Sequence, residues 1–336
     1  MRDGSRQSPD KSVSYIGIAI LYNARSEFLR SSQMTDKYAV IGNPIAHSKS
    51  PQIHKMFAEQ TGHGISYEAI LAPLDGFAAT IERLREEDYK GCNVTVPFKF
   101  EAHQLATELT QRAKAAQAVN TLKFAGNNIL GDNTDGAGMV RDIEHNLGIS
   151  LKGKHVLLMG AGGAAYGVSF PLLEAGAALT IANRTVDKAD ALRQRLAAAL
   201  RQDEGQDTHV FNLKTHQIVG LLRAGSVESC GYDDLQGKKF DIVINATSAS
   251  LPKMGGLLDI GAAPILPTDI FAPNSLAYDM MYGGVTFFLS SSKQHGAAVV
   301  SDGLGMLVEQ AAESFFIWRG VRPKTAPVIA ALRKQQ

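Results

Sequence analysis

From Tyr38 onward, short apolar runs alternate with stretches in which apolar residues recur at helical spacing. This alternation predicts an α/β fold, because strands covered on both faces read as continuous apolar runs and the helices beside them keep a polar face. Strands are predicted over 38–41, 67–71, 92–96, 119–124, 128–131, 155–159, 179–182, 241–245 and 277–280. Helices are predicted from Ser50 to near Gln60, over 77–87, up to near Gly148, over 164–174, 186–200 and 305–318, and after Pro327.

The first 33 residues do not follow this pattern. They contain one short apolar run, Val13 to Tyr22, between polar and basic stretches. A signal peptide is a weak interpretation, because acidic residues precede the run and no small-residue cleavage site follows it. A disordered leader, or an upstream start ahead of the true one at Met34, explains the stretch better, since a strand pattern begins almost immediately after Met34. A second stretch, residues 201–232, is polar and irregular, and no elements are predicted there.

The composition narrows the class of partner. The 336 residues leave room for two domains, and the formal net charge of +1 creates no global field for nucleic acid or a membrane surface. No apolar run approaches the roughly 18 residues of a membrane span. The two cysteines, Cys92 and Cys230, form no metal-binding spacing and fit a reducing cytoplasm. We therefore expect a small-molecule ligand held by local charges.

A glycine-rich turn links the predicted strand 155–159 to a predicted helix. Residues Gly160 to Ala165 match the G-x-G-x-x-[GA] pattern. Gly160 permits the tight turn, Gly162 lets the backbone approach a pyrophosphate, and Ala165 allows close packing of helix on strand. The N-terminus of the helix offers N–H groups to the phosphates. The alternative, a glycine-rich turn without a ligand, is the weaker interpretation in this strand-to-helix context.

The end of the next strand indicates which nicotinamide nucleotide binds. NAD enzymes usually carry an acidic residue there, which accepts hydrogen bonds from the ribose 2′-hydroxyl. This chain has Asn183, Arg184 and Thr185, followed by Lys188. A carboxylate would repel a 2′-phosphate, whereas Arg184 can bind one through its planar fork of donors. The sequence therefore predicts NADP, although Arg184 could also be an ordinary surface arginine.

Four polar stretches each follow an apolar run. Because ligands collect beyond the carboxyl ends of strands in open α/β sheets, their side chains are candidates for one common cleft. One such loop could be simple turn chemistry, but four are harder to dismiss. The stretches are Asn43–Pro51, Asn93–Lys99, Ala118–Thr121 and Gly131–Gly136.

These four stretches resemble the shikimate dehydrogenase family, and the resemblance covers Tyr38 to Ile329 in the family's order. It implies a substrate domain of residues 34–135 plus 303–336 and a Rossmann-like NADP-binding domain of residues 136–302. It also implies reversible reduction of 3-dehydroshikimate to shikimate in aromatic amino-acid and chorismate biosynthesis. The further matching motifs are Gly160–Ala164, Asn183–Thr185, Asn245–Ser248, Tyr278–Tyr282 and Asp302–Met306.

The resemblance assigns roles residue by residue. Lys99 and Asp135 correspond to the catalytic pair, and Ser48 and Ser50 to the hydroxyls that hold the substrate carboxylate. Positions of the remaining substrate contacts are Thr95, Asn120, Tyr282 and Gln310. The implied cofactor contacts are Gly160, Ala161, Gly162, Gly163, Ala164, Asn183, Arg184, Thr185, Lys188, Thr247, Met280 and Gly303, with Met306 near the nicotinamide.

The chemistry of the pair makes sense without the family. Ketone reduction needs a hydride at carbon and a proton at the developing alkoxide, and the Lys99 ammonium can supply the proton and stabilise the charge. Asp135 would hold the ammonium and bind a substrate hydroxyl. No metal is required, because the lysine polarises the oxygen. Taken alone, Asp135 and Ser50 could also be helix caps.

Two nearby residues are interpreted more plainly. His47 is interpreted as a packing residue of its loop, and Cys92 as a small buried residue beneath the catalytic strand.

Several positions depart from the family pattern. Tyr166 stands where many members have arginine, and Lys188 stands where a second arginine for the 2′-phosphate is common, which loses the bidentate fork. Ser250 replaces a frequent glycine, and Phe287 replaces a usual proline. These departures concern the affinity and selectivity for NADP more than the reaction.

Two other functions stay open at this point. One is a broader quinate/shikimate dehydrogenase that also uses NAD. The other is a non-catalytic NADP-binding sensor, which would have no need of both Lys99 and Asp135. The oligomeric state is not encoded in any motif, and a homodimer is left open.

Overall fold

The computed structural model describes residues 35–203, 227–247 and 264–336. The predicted leader 1–33, most of the unassigned segment 201–232 and Ser250 lie outside the described residues. Within the described spans, no helix is both long and apolar enough to cross a bilayer.

The first sheet has six strands in the order β2-β1-β3-β5-β6-β4. Strands β1, β2 and β3 run parallel, and the hairpin of β5 and β6 around Gly126 joins β3 antiparallel. The bounds are β1 Asp36–Gly42, α1 Ser50–Thr61, β2 Ile65–Leu71, α2 Phe77–Glu86, β3 Tyr89–Val94, α3 Lys99–Leu105, β4 Glu108–Leu109, α4 Gln111–Ala116, β5 Thr121–Ala125 and β6 Asn128–Asp132.

The second sheet is parallel throughout, in the order β12-β11-β10-β7-β8-β9. Its central strand, β7, is followed by the glycine-rich turn, as the sequence predicts. The bounds are α5 Asp135–Arg141, β7 His155–Met159, α6 Gly163–Glu174, β8 Ala178–Ala182, α7 Val186–Asp203, β9 Val227–Cys230, β10 Phe240–Asn245, β11 Phe271–Asp279, α8 Phe287–Gln294, β12 Val299–Ser301, α9 Leu304–Arg319 and α10 Ala326–Arg333.

The long, strongly patterned elements are where the sequence predicts them, and the differences fall at ends and in short elements. Strand β3 ends at Val94, two residues early. Ser50 and Asp135 are the first residues of α1 and α5, so the interpretation of either as a cap is wrong. The sequence does not predict α3, α4, α8, β4, β9 or β12, because elements this short depend on tertiary packing more than on their own pattern.

Two helices connect the sheets. Helix α5 leaves the first sheet after β6, and α9 returns to pack against α5, α1 and strands β3 and β5. Their contact is close because Gly138 of α5 faces Gln310 of α9: a Cβ at Gly138 would lie 2.6 Å from the Gln310 backbone nitrogen.

A buried carboxylate lies at the start of α9. Asp142, in the π-helical turn that continues α5, accepts hydrogen bonds from the Tyr278 hydroxyl at 2.6 Å and from Asn146 at 2.9 Å. Burial raises the pKa of this carboxyl group, and the two hydrogen bonds oppose the rise. Gly305 leaves the space that the carboxylate occupies, because a Cβ there would lie 1.9 Å from Asp142 Oδ1.

Substitution Gly305→Ala is therefore expected to destabilise the protein. The methyl group must displace a buried, hydrogen-bonded carboxylate, and overpacking of this kind costs about 1–3 kcal/mol or more. Urea denaturation would measure the loss as a lower midpoint. Gly284→Ala is the matched control, because Gly284 is exposed and a Cβ there meets no atom within 4 Å. Equal midpoints for the two variants would contradict this account of the α9 contact.

Candidate active site

A cavity of about 330 Å³ opens where the carboxyl ends of β1 and β3 face the end of β11 and the start of α9. Eleven of the residues that the resemblance assigns to the substrate or the cofactor line it. They are Ser48, Ser50, Thr95, Lys99, Asn120, Asp135, Tyr282 and Gln310 among the predicted substrate contacts, and Met280, Gly303 and Met306 among those expected near the nicotinamide.

Strand register explains why the loops meet. Strands β1 and β3 are parallel neighbours with Ile41 opposite Val94, so the chain leaves both strands at the same edge. The Thr95 N–H donates to the Ile41 carbonyl at 2.9 Å, and the Asn43 N–H donates to the Val96 carbonyl at 3.0 Å. These bonds tie the two polar loops together directly above the sheet.

The two predicted catalytic side chains are in contact. Lys99, the first residue of α3, places its Nζ 2.6 Å from Oδ2 of Asp135, the first residue of α5. Their side chains are 20% and 11% exposed, so the pair is sheltered but reachable from the cavity. One N–H of the ammonium is engaged by the carboxylate, which leaves the others available to a ligand oxygen.

Asn120 fixes the other oxygen of Asp135. Its Nδ2 donates to Asp135 Oδ1 at 2.7 Å, while its Oδ1 accepts the backbone N–H of Thr134 at 2.8 Å. The backbone donor determines which end of the amide is oxygen, so the NH₂ group must face the carboxylate. Asp135 is therefore held by a cation on one oxygen and an amide on the other.

The two serines lie at the start of α1. The Ser50 backbone N–H donates to Ser48 Oγ at 3.3 Å, so the Ser48 hydroxyl proton is free to be donated elsewhere. Ser50 is buried, whereas Ser48 is half-buried. Two hydroxyls beside the positive end of a helix suit an anionic group.

A buried polar layer supports the cavity floor, and the sequence did not single out its members. Asn93 Nδ2 donates to the Asn120 carbonyl at 3.1 Å and to Ser314 Oγ at 2.9 Å, and its Oδ1 accepts the Tyr67 hydroxyl at 2.7 Å. Asn93 is the first residue of one of the four polar stretches, and this position was the signal that could have identified it from the sequence. Nothing in the pattern of α9 indicates Ser314.

The interpretation of His47 as a packing residue of its loop is wrong. The residue is exposed and lines the cavity rather than packing its loop. Cys92, by contrast, is fully buried as expected, and burial raises the pKa of its thiol. Burial also raises the pKa of the Tyr282 hydroxyl on the opposite wall, which keeps that group a neutral donor.

The glycine-rich turn has the geometry that a dinucleotide site needs. Gly160 has a φ of 103° and donates its N–H to the Ala182 carbonyl at 2.8 Å. Gly162 precedes α6 without a side-chain cap, and a Cβ there would meet no atom within 4 Å. Ala165 is fully buried against the sheet. The backbone at Gly162 is thus open to a phosphate, and the residues present fit a dinucleotide.

The cationic end of the site lies at the start of α7. Asn183 stabilises this loop, because its Nδ2 donates a hydrogen bond to the Thr185 carbonyl at 2.8 Å. Arg184 and Lys188 are exposed, and neither forms an ion pair with any residue that the structure describes. Burial raises the pKa of the nearby Tyr232 hydroxyl to about 12, although the positive charge of Arg184 opposes the rise.

The departure at Tyr166 has a structural counterpart. The Arg195 guanidinium, from α7, lies 5.1 Å from the centre of the Tyr166 ring in the first turn of α6. A cation is thereby present beside this turn although the residue itself is aromatic. Thr247, also expected at the cofactor, packs against the turn, with its Cγ2 3.2 Å from the position of a Cβ at Gly160.

Helix α3, which begins with Lys99, touches the same turn. Phe100, next to Lys99 in α3, is 49% exposed, and its ring lies 3.8 Å from the position of a Cβ at Gly163. The Lys99–Asp135 pair and the glycine-rich turn are thus joined by one short helix.

Comparison with known families agrees with this architecture. Residues 40–122 match the family described as shikimate dehydrogenase substrate binding domain. Residues 142–209 match shikimate / quinate 5-dehydrogenase, and residues 303–333 match the shikimate 5′-dehydrogenase C-terminal domain. The matches follow the order of the two sheets and the returning helix α9.

Relatives cover nearly the whole chain. The NADP-dependent shikimate dehydrogenase of Nitrosospira multiformis is 58% identical over 302 residues, covering 89% of this chain and 98% of that protein. The crystal structure of an Ael1 enzyme from Pseudomonas putida is 43% identical, with a TM-score of 0.74 and coverage of 89% and 98%. Shikimate 5-dehydrogenase from Thermus thermophilus, in complex with NADP(H) and shikimate, is 29% identical, with a TM-score of 0.72 and coverage of 90% and 100%. The chain belongs to the shikimate dehydrogenase family.

Proposed function

We propose that this protein catalyses the reversible, NADP-dependent interconversion of 3-dehydroshikimate and shikimate, in the biosynthesis of chorismate and the aromatic amino acids. The observation that carries the proposal is the contact of Lys99 with Asp135 on one wall of a cavity whose other wall carries Met280 and Gly303. Relatives that match 89% of the chain are named for this activity. A sensor that only bound the nucleotide would have no need of the sheltered ion pair.

When bound, NADPH would supply the hydride for the ketone carbon. The backbone at Gly162 and the first turn of α6 bind its pyrophosphate, and Met280 and Gly303 lie on the nicotinamide side of the cavity. Ala161, Gly163 and Ala164 complete the turn. The residues on the nicotinamide side of the cavity orient the nicotinamide ring and exclude water from it.

Lys99 is the proton donor in the reduction and the proton acceptor in the oxidation. Its ammonium hydrogen-bonds the ketone oxygen, stabilises the charge that develops there and gives up one proton as the alkoxide forms. In the oxidation direction the neutral amine takes the proton back. Asp135 holds the ammonium at 2.6 Å and accepts a hydrogen bond from a substrate hydroxyl. Asn120 keeps that carboxylate in place.

Polar side chains around the cavity match a small hydroxylated acid. Ser48 and Ser50 bind the carboxylate at the N-terminus of α1. The ring hydroxyls meet Thr95, Tyr282 and Gln310. Each of these groups is neutral, so the ligand is oriented without a second charge beside the Lys99–Asp135 pair.

The preference for NADP rests on the start of α7. Arg184 and Lys188 present two positive charges, which form no ion pair with any residue in the described spans, where an acidic residue would mark an NAD site. Asn183 and Thr185 shape the loop that carries them. We also propose the division into residues 34–135 plus 303–336 and residues 136–302 as the two domains, a cytoplasmic location in keeping with the free thiols of Cys92 and Cys230, and a homodimer.

The proposal is tested by initial rates of shikimate and quinate oxidation, each with NADP and with NAD, followed at the nicotinamide absorbance. Strong turnover confined to shikimate with NADP is expected. Comparable rates with quinate or NAD would identify a broader dehydrogenase. NADP binding without turnover of either acid would make the protein a nucleotide sensor.

Substitution Lys99→Ala is expected to lower kcat by roughly 10²–10⁴-fold while shikimate still binds, since removal of a general acid acts mainly on the transition state. Lys99→Arg should also fail, because arginine keeps the charge but cannot act as a base. Lys114→Ala, on the exposed face of α4, removes the same charge and serves as the control. An unchanged kcat in Lys99→Ala would remove the assigned role.

Substitution Arg184→Asp is expected to raise the dissociation constant of NADP by roughly tenfold to a hundredfold, because it exchanges a charge-assisted donor for a repelling carboxylate. The constant for NAD, which lacks the 2′-phosphate, should change little. Titration of each nucleotide by protein fluorescence gives both values. Arg83→Asp, at an exposed site on α2, controls for net charge. Equal losses for both nucleotides would mean that Arg184 does not contact the 2′-phosphate.

A further inference from the structure

The charges available inside the cavity are few. Of the residues that line it, only His47, Lys99, Asp135 and Tyr282 can titrate. Lys99 and Asp135 neutralise each other at 2.6 Å, and burial keeps the Tyr282 hydroxyl neutral. Of these four residues, His47 is therefore the one left to interact with an organic acid bound at the two serines.

His47 is adjacent to the carboxylate-binding serines. The loop turns back at residues 45–48, where the Ser48 N–H donates to the Ile45 carbonyl at 3.0 Å. Ile45 is buried and anchors the turn, while His47 is exposed at its tip and lines the cavity. The imidazole and the Ser48 hydroxyl therefore face the cavity from consecutive positions.

The start of this loop is held at two points. Asn43 donates its backbone N–H to the Val96 carbonyl at 3.0 Å and its side-chain amide to the Ala72 carbonyl at 2.9 Å. The imidazole is thus carried by a loop with a defined path, which limits the entropy lost when a ligand binds.

The His47 imidazole has a ring N–H that is available to a ligand. Neither ring nitrogen of His47 is hydrogen-bonded to any residue that the structure describes. A histidine ring carries at least one N–H in either charge state, and a carboxylate offers about four lone-pair sites. Ser48 and Ser50 supply two donors, so two sites of the substrate carboxylate remain for others.

We propose that His47 is a substrate-binding residue, which donates a ring N–H to the carboxylate of the substrate from the cavity mouth and makes the enzyme select the free acid over its neutral esters. This inference rests on the proposed function, because it takes the acid bound at Ser48 and Ser50 to be the substrate. His47 takes no part in hydride or proton transfer, which belong to the far wall at Lys99.

The test compares shikimate with methyl shikimate in the wild type and in His47→Ala. Loss of one exposed hydrogen bond to a charged group should raise the KM for shikimate about tenfold. The kcat should stay within about twofold to threefold, and the KM for the ester should change little. The preference for the acid therefore shrinks. His47→Gln, which keeps an N–H donor without the ring, should recover part of the affinity.

Lys49→Ala is the matched control, because Lys49 is the exposed cation of the same loop but does not line the cavity. It should leave both KM values unchanged. An equal rise in KM for acid and ester in His47→Ala would overturn the proposal, as would a loss of kcat at unchanged KM. The first result would indicate a role in cavity shape, and the second a role in the chemistry.

Calorimetric titration with shikimate separates this inference from the proposed function. Wild-type turnover of shikimate decides the function by itself. If the wild type binds shikimate without turning it over, a weaker affinity in His47→Ala still supports the contact, and an unchanged affinity overturns it. Absence of shikimate binding to the wild type would overturn both.

Discussion

The site depends on how the carboxylate of Asp135 is shared. Its two oxygens go to different donors, the Lys99 ammonium and the Asn120 amide, and these three residues come from the starts of two helices and the loop before β5. A carboxylate this sheltered is costly unless both oxygens are satisfied. Each donor therefore has to be delivered to within 3 Å. The parallel register of β1 and β3, the hairpin of β5 and β6 and the return of α9 serve that requirement together.

Sequence patterns predicted the sheets well because apolar runs in buried strands and glycine-rich turns are local signals. They failed for α3, although it begins with Lys99, because a seven-residue helix is stabilised by what it packs against. The polar stretches identified the side chains that converge on the cavity. The layer beneath them was not predictable in the same way, since Ser314 and Tyr67 reach Asn93 only after distant elements have packed.

At the glycine-rich turn, prediction from the sequence was limited in a different way. The turn motif specifies backbone geometry, so Gly160 and Gly162 could be assigned from the sequence alone. The replacement of arginine by Tyr166 concerned the affinity and selectivity for NADP, and Arg195 lies over that ring from a helix further along the chain. The positive charge beside this turn therefore comes from a residue that has no fixed sequence spacing to the motif, so the motif alone could not reveal it.

Helix α9, which follows the second sheet in the chain, completes the packing of the first sheet. Trp318 of α9 stacks on Tyr38 at 4.6 Å and donates its indole N–H to the Leu122 carbonyl at 3.0 Å, while Phe315 packs with Ile53 and Phe57 of α1. During synthesis, β1, β3 and β5 emerge from the ribosome long before this helix, because β5 ends at Ala125 and α9 begins at Leu304. The nascent first sheet must therefore wait with one face uncovered while the second sheet is synthesised, so the cavity is assembled only after the second sheet and α9 have both been made.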